Sequence, residues 1–208
     1  MLSRLYADRL FPSLHDLSAG ALGGERTDLL SPIGGAVLEI GVGSGLNLAC
    51  YDAGRTTGVV GIDPAPGMLS RARSRSARVG FAVRLLRASA EHLPFPDGAF
   101  DAAVATLVFC TIPDPLAAAR EVRRVLRAGG VLHVLEHVRS PRPGVARWQT
   151  RLTPLWQRCA VGCHLDRDTA STLAEAGFDV RDVRTRTLAL APSILASVIS
   201  GRATREAS

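Results

Sequence analysis

The stretch Val37-Leu38-Glu39-Ile40-Gly41-Val42-Gly43-Ser44-Gly45 constrains this chain more than any other. It predicts a buried parallel strand, interrupted by one acid, that ends in a turn of alternating glycines. Main chain without side chains lets a ligand approach closely there. A Walker-type loop needs a lysine before Ser or Thr to reach phosphates, and the chain has no lysine at all. The dinucleotide fingerprint G-x-G-x-x-G seats a pyrophosphate at a helix N-terminus. Here the third glycine comes one residue early and Leu46 holds its place. Glu39, two residues before the first glycine, repels a pyrophosphate and attracts a cation.

S-adenosylmethionine (SAM) meets that demand, with an ammonium, a sulfonium, a ribose diol and an adenine but no phosphate. The segment Glu39 to Gly45 resembles the first motif of class I SAM-dependent methyltransferases. Downstream, Gly58-Val59-Val60-Gly61-Ile62 reads as a second buried strand ending in Asp63. An acid about 20 residues past a glycine-rich turn is placed to accept both ribose hydroxyls. The resemblance makes Glu39, Gly41, Gly43, Gly45 and Asp63 cofactor-binding residues, with Met68 packing on adenine. It adds Ser89 and Ala90 in the loop after the third strand, and Thr106 at the end of the fourth. Ser89 stands where the family usually has an Asp that accepts from the exocyclic amine; a hydroxyl makes that contact weaker.

The rest of the chain keeps a regular βαβ rhythm. Strands are expected at Phe81 to Arg87, Phe100 to Val108 and Val131 to Glu136, and a helix from Leu46 to Ala53. Asp114-Pro115 supplies an N-cap and a first helical residue, Leu116, Ala119, Val122 and Leu126 a buried stripe, and Gly129-Gly130 a stop. Arg71, Arg75 and Arg78 share one helix face, read as solvated. Asp179 to Leu188 and Ser193 to Ser200 are two last strands, by resemblance an antiparallel completion, and Gly201 to Ser208 a frayed tail. The fold expected is a doubly wound, mostly parallel α/β sheet of seven strands, Rossmann-like, with the last strand antiparallel.

At 208 residues the chain suits one domain. Residues 1 to 35 are expected to form a helical lid, with Tyr6 lining it, and 138 to 165 a substrate-side insert. The apolar run Ala102 to Ile112 is too short for the roughly 20 residues of a membrane helix, and the first residues lack the apolar stretch expected of a secretory signal. A cytoplasmic protein is expected, with peripheral membrane contact left open. The +6 net charge comes from scattered arginines, and with only 5% aromatic residues the chain has no interleaved platform of the kind a nucleic-acid binder uses. No nucleic-acid partner is expected, and the Asp/Asn-Pro-Pro-Tyr type of acceptor motif is missing. Cys50, Cys110, Cys159 and Cys163 form no disulfide pattern, and Cys159-x3-Cys163-His164 offers too few ligands for structural zinc.

Leu135-Glu136-His137-Val138, Trp148-Gln149, Pro154-Leu155-Trp156 and Gly162 to Arg167 narrow the resemblance. They are similar to bacterial phospholipid N-methyltransferase-like proteins and to the animal group that methylates thiols. A small-molecule or lipid-like acceptor is implied, without its identity. Methyl transfer is an in-line displacement that depends on holding nucleophile and methyl carbon about 3 Å apart. If a proton must leave, His137 is the first candidate base, ahead of Glu136 and Cys110. Cys110, Trp148 and Trp156 are the substrate-side candidates, although either tryptophan also suits a membrane face or a core. The rival reading is a SAM-binding but inactive regulatory subunit.

Overall fold

The computed structural model describes residues 22–160, 162–189 and 191–206. Helix α1 (Gly23–Leu30) precedes strand β1 (Gly35–Ile40), a 3-10 turn (Leu46–Cys50) and β2 (Thr56–Ile62). Then come α2 (Pro66–Ser76), β3 (Ala82–Leu86), β4 (Phe100–Thr106), α3 (Pro115–Val125) and β5 (Leu126–His137). The long helix α4 (Pro143–Cys159), the short α5 (Thr169–Glu175), β6 (Phe178–Thr187) and β7 (Ser197–Arg205) complete the order. The seven strands lie in the order β3-β2-β1-β4-β5-β7-β6, with β7 antiparallel to both of its neighbours. The other pairs among β1 to β5 are parallel. This is the expected doubly wound sheet, and its strand order reverses between β1 and β4, where such sheets bind ligands.

Alternation along β1 assigns its side chains to two layers. Leu38 and Ile40 enter a core with Ile62, Ala103, Ala105 and Phe109, covered by Ala118, Ala119, Val122 and Val125 of α3. Val37 faces the other way, with Val59, Ala102, Val104, Leu48, Tyr51 and Leu30. Glu39, two residues on from Val37, therefore points into the layer that holds the 3-10 turn. Truncating a fully buried residue such as Leu38 to Ala costs about 2–5 kcal/mol.

Helix α3 starts as its sequence dictates: Asp114 accepts from the Ala117 amide at 2.9 Å, and Pro115 follows. It ends earlier than expected. Leu126 already has extended dihedrals and opens β5. Gly129-Gly130 instead lies in a bulge of that strand, where the pairing with β4 slips between Leu126 and Val131. A Cβ on Gly130 would come within 2.8 Å of the Arg127 carbonyl oxygen.

The tail reading is also corrected. Residues Gly201 to Arg205 are strand, not fray, and β7 begins at Ser197 rather than Ser193. The reason is long-range: the edge of β5 from Val131 to His137 pairs with Thr204 back to Val198. Arg205 then ties the strand end down by donating to the Arg123 and Arg124 carbonyls and to that of Leu126.

Candidate active site

A cleft of about 380 Å³ opens at the carboxyl ends of β1, β2 and β4, a size within the usual range for small-ligand sites. Gly41 and Gly43 line it, with Asn47, Asp63, Met68, Ser89, Ala90 and Thr106. Gly41 has φ +60° and passes so close to β4's exit loop that a Cβ would lie 2.2 Å from Val108 Cγ2. Only glycine fits there. Gly45 is not in the lining; it packs tightly on Ala72 of α2, with a Cβ expected 3.1 Å from that residue's Cα.

Asp63 sits as the spacing predicts. Its two carboxylate oxygens accept from the amides of Gly43 at 3.0 Å and Ala65 at 2.8 Å, pinning the glycine turn to the end of β2. Burial pushes its pKa up, and the two amides oppose that shift. Each oxygen retains a lone pair for a ligand hydroxyl. Ser89 donates its hydroxyl proton to Glu91, which leaves the serine oxygen able to accept from an amine. Arg75, expected on a solvated face, donates to the Ser44 carbonyl at 2.6 Å and braces the turn from below.

Glu39 lies one layer behind the cleft and not in its wall. Asn47 Nδ2 donates to it at 2.9 Å and Tyr51 Oη at 2.8 Å, and it is 1% exposed. Burial raises its pKa to about 7 against those two donors and the nearby Arg26 charge. The 3-10 turn, where a longer helix was expected, places Asn47 and Tyr51 four residues apart on the same acid. Asn47 Nδ2 also donates to Thr106 at 2.8 Å. Its Oδ1 is buried without a partner among the described residues, so this lining residue holds an unfilled acceptor. Arg26 of α1, 3% exposed, lines the same cleft and adds a cation. Tyr6 lies outside the described residues.

The loop after β4 forms the other wall through Leu107, Val108, Thr111 and Ile112. Leu107 has φ +55°, a strained conformation for a leucine. The loop is held from behind. Glu136 Oε1 accepts from the amides of Val108 at 2.8 Å and Phe109 at 3.0 Å. Arg167 donates to the carbonyls of Phe109 at 2.6 Å and Ile112 at 2.5 Å, and the His164 amide to that of Cys110 at 2.8 Å. Burial pushes Glu136 up to about 7.

His137, Cys110, Trp148 and Trp156 do not line the cleft. His137 is buried with Nε2 3.3 Å from the Ile194 carbonyl. Cys110 is buried, and its thiol hydrogen-bonds Cys163, which also meets His137 and Trp156. The bond from Cys110 holds the Cys163 thiol well below the ordinary range, and the same bond pushes Cys110 up. These groups form a polar cluster behind the loop. Trp148 is 56% exposed on α4. Gln149 next to it is buried, accepting from Ser140 and donating to the Val138 and Ile194 carbonyls, so it fastens α4 to the sheet.

Sequence reasoning missed Asn47, Arg26, Tyr51 and Arg167. A polar Asn47 between Leu46 and Leu48 was the available signal, eight residues beyond the acid it serves.

A glycine-floored cleft at the switch point, with an acid at the end of β2, defines a site for a cationic nucleoside cofactor. Comparison with known proteins assigns it. The family model described as a methyltransferase domain matches residues 38–134. The human thiol S-methyltransferase TMT1B is 32% identical over 85% of this chain and 77% of its own length. The phosphatidylethanolamine N-methyltransferase of Cereibacter sphaeroides is 39% identical over 50% of this chain, and the match spans about half of that enzyme's length. A SAM-dependent methyltransferase of Thermotoga maritima superposes with a TM-score of 0.66 at 25% identity, covering 98% of this chain and 93% of that one. The chain belongs to the SAM-dependent methyltransferases and is an enzyme of that family, with SAM as its cofactor. The residues present fit that group: Asn47 Oδ1 is an orphaned acceptor suited to an ammonium, and the Gly41 turn is a cradle that any side chain would fill.

Proposed function

We propose that the enzyme methylates a sulfur, nitrogen or oxygen nucleophile of a small or lipid-like acceptor, with a thiol or a phospholipid amine as the first choices. The observation that supports this most is the meeting, in one cleft, of Asp63, the unpartnered Asn47 Oδ1, Arg26 and bare glycine main chain. Asp63 accepts the ribose hydroxyls, Asn47 Oδ1 the ammonium, and Arg26 faces the carboxylate of the donor. Glu39 acts through Asn47, fixing its amide so that the oxygen points to the ligand. Met68 and Ala90 supply apolar contact for adenine, and Ser89 an acceptor.

Bound SAM supplies a methyl group already activated on a sulfonium. The chain therefore has to position the acceptor and exclude water. The loop from Leu107 to Ile112, braced by Glu136 and Arg167, is the wall against which the acceptor is held. A thiol ionises readily enough to attack without a dedicated base, whereas an ammonium must first lose its proton. His137 stands behind this wall, so the acceptor's proton leaves to solvent or to a lining group. Names of the relatives favour thiols and phosphatidylethanolamine. The sheet and cleft lie in a chain with no helix, among the described residues, long and apolar enough to cross a membrane. A cytoplasmic enzyme that reaches lipid-like acceptors from the membrane surface fits this reading.

The test is a panel of alkyl thiols, phosphatidylethanolamine, amines and phenols with isotopically labelled SAM, read by mass spectrometry. Label on a thiol or on the lipid amine is expected. Binding of SAM with no transfer to any member overturns the acceptor reading and favours the inactive subunit.

A further inference from the structure

The face of α4 turned away from the sheet has an unusual make-up. Ala146, Gln149 and Thr153 are its buried stripe. On the opposite side stand Trp148 and Leu155, the large hydrophobic residues that are exposed among those described, at 56% and 62%. They are seven residues apart, two turns along one face. Arg147, Arg151 and Arg158 are exposed along the adjoining strip of the same helix. The Arg151 guanidinium lies over the Trp148 ring, 5.6 Å from its centroid.

Charge on this surface is one-sided. From His137 to Leu165 the sequence carries five arginines and no Asp or Glu. No carboxylate pairs with Arg142, Arg147, Arg151 or Arg158 among the described residues. An open groove of about 910 Å³ beside the helix start is lined by Arg142, Arg147, Arg151 and Trp148, with Ser193 and Ile194 on its far side. An aromatic and an aliphatic side chain flanked by unpaired cations match a helix lying in the head-group layer of a membrane. There the apolar pair enters the acyl boundary while arginines meet lipid phosphates.

We propose that this face of α4 docks the enzyme on an anionic phospholipid bilayer, with the groove taking head-group phosphates. The assignment does not depend on which acceptor is methylated, because docking needs neither donor nor transfer. It does place the cleft usefully. The α4 C-terminus leads directly into Cys163-His164, whose main chain bonds the Cys110 carbonyl in the loop that walls the cleft.

The experiment is flotation of the full chain, without SAM, on vesicles of phosphatidylcholine alone and with phosphatidylglycerol added. Binding is expected only to the anionic vesicles, with weakening as salt rises. Arg147→Gln and Arg151→Gln should each weaken it about fivefold, from roughly 1 kcal/mol per basic residue at such a surface. The double variant Trp148→Ala with Leu155→Ala should abolish flotation at physiological salt. All four sites are exposed, so melting temperatures should stay within about 2 °C of wild type; this shows that lost flotation is not lost folding. No binding to anionic vesicles at low salt overturns the proposal. So does vesicle binding that the α4 variants leave unchanged. Binding to poly-uridylate or heparin at equal strength, sensitive to the arginines but not to Trp148 and Leu155, replaces the bilayer with a soluble polyanion.

Discussion

Replacing Glu136 with Gln separates its charge from its shape. In the folded protein Oε1 accepts two loop amides, while Oε2 is buried with no partner among the described residues. Burial raises the folded pKa from 4.5 to about 7. Between those values the unfolded chain has released the proton and the folded protein retains it. Stability therefore falls as pH rises, by about 1.36 kcal/mol per pH unit and about 3 kcal/mol across the window. Below pH 4.5 nothing is lost, and above about 7 the full loss has been incurred. Glutamine keeps both accepted bonds but adds an unpartnered buried N–H, at a pH-independent cost of about 1–3 kcal/mol. The variant should thus be the less stable at pH 5 and draw level or overtake at pH 8. The difference swings by about 3 kcal/mol, equivalent to roughly 6–12 °C in a protein of this size. Thermal and urea melts of the cofactor-free protein from pH 4.5 to 8.5 read it directly, and Glu39, raised the same way, is common to both proteins and cancels. A difference that does not change with pH refutes the claim that Glu136 is carried neutral.

Tyr51→Phe removes one of two donors to the Glu39 carboxylate; it should destabilise by about 1.5–3 kcal/mol at pH 8, where the acid is ionised, and by less at pH 5. Equal losses at both pH values would show that the phenol serves packing alone. Cys163, held in thiolate-favouring contact by Cys110, should be alkylated by iodoacetamide at pH 6.5, ahead of buried Cys110. Peptide mapping that finds Cys163 no faster than exposed Cys159 contradicts that contact.

How much of this was legible beforehand depended on distance along the chain. The β1 strand, its glycine turn and Asp63 lie within 29 residues, and each is dictated by local need: apolar burial, absent side chains and an acid at a strand end. Asp114-Pro115 is a purely local cap and was equally readable. Glu39 was seen, but its purpose was not. An acid next to a ligand turn suggests direct contact, and only the path of the 3-10 turn shows Asn47 and Tyr51 closing over it. The wall of the cleft depends on Glu136 and Arg167, which act across 27 to 58 residues. No periodicity encodes such pairings. His137 looked catalytic because it ends a strand on the ligand side, but its ring is buried against the Ile194 carbonyl. Likewise, β7 extends to Arg205 because β5 offers an edge for it, which its own polar sequence does not advertise.

The central claim is that one cationic nucleoside donor binds between the end of β2 and the 3-10 turn. Isothermal titration of S-adenosylhomocysteine into the wild type, Asp63→Ala and Asn47→Leu tests it most directly, with circular dichroism confirming that each is folded. The account predicts a single site in the wild type, weakened about 10- to 100-fold in each variant by loss of hydrogen bonds to charged groups. A folded wild-type protein that takes up neither S-adenosylhomocysteine nor SAM, or variants that bind as tightly as the wild type, would contradict it.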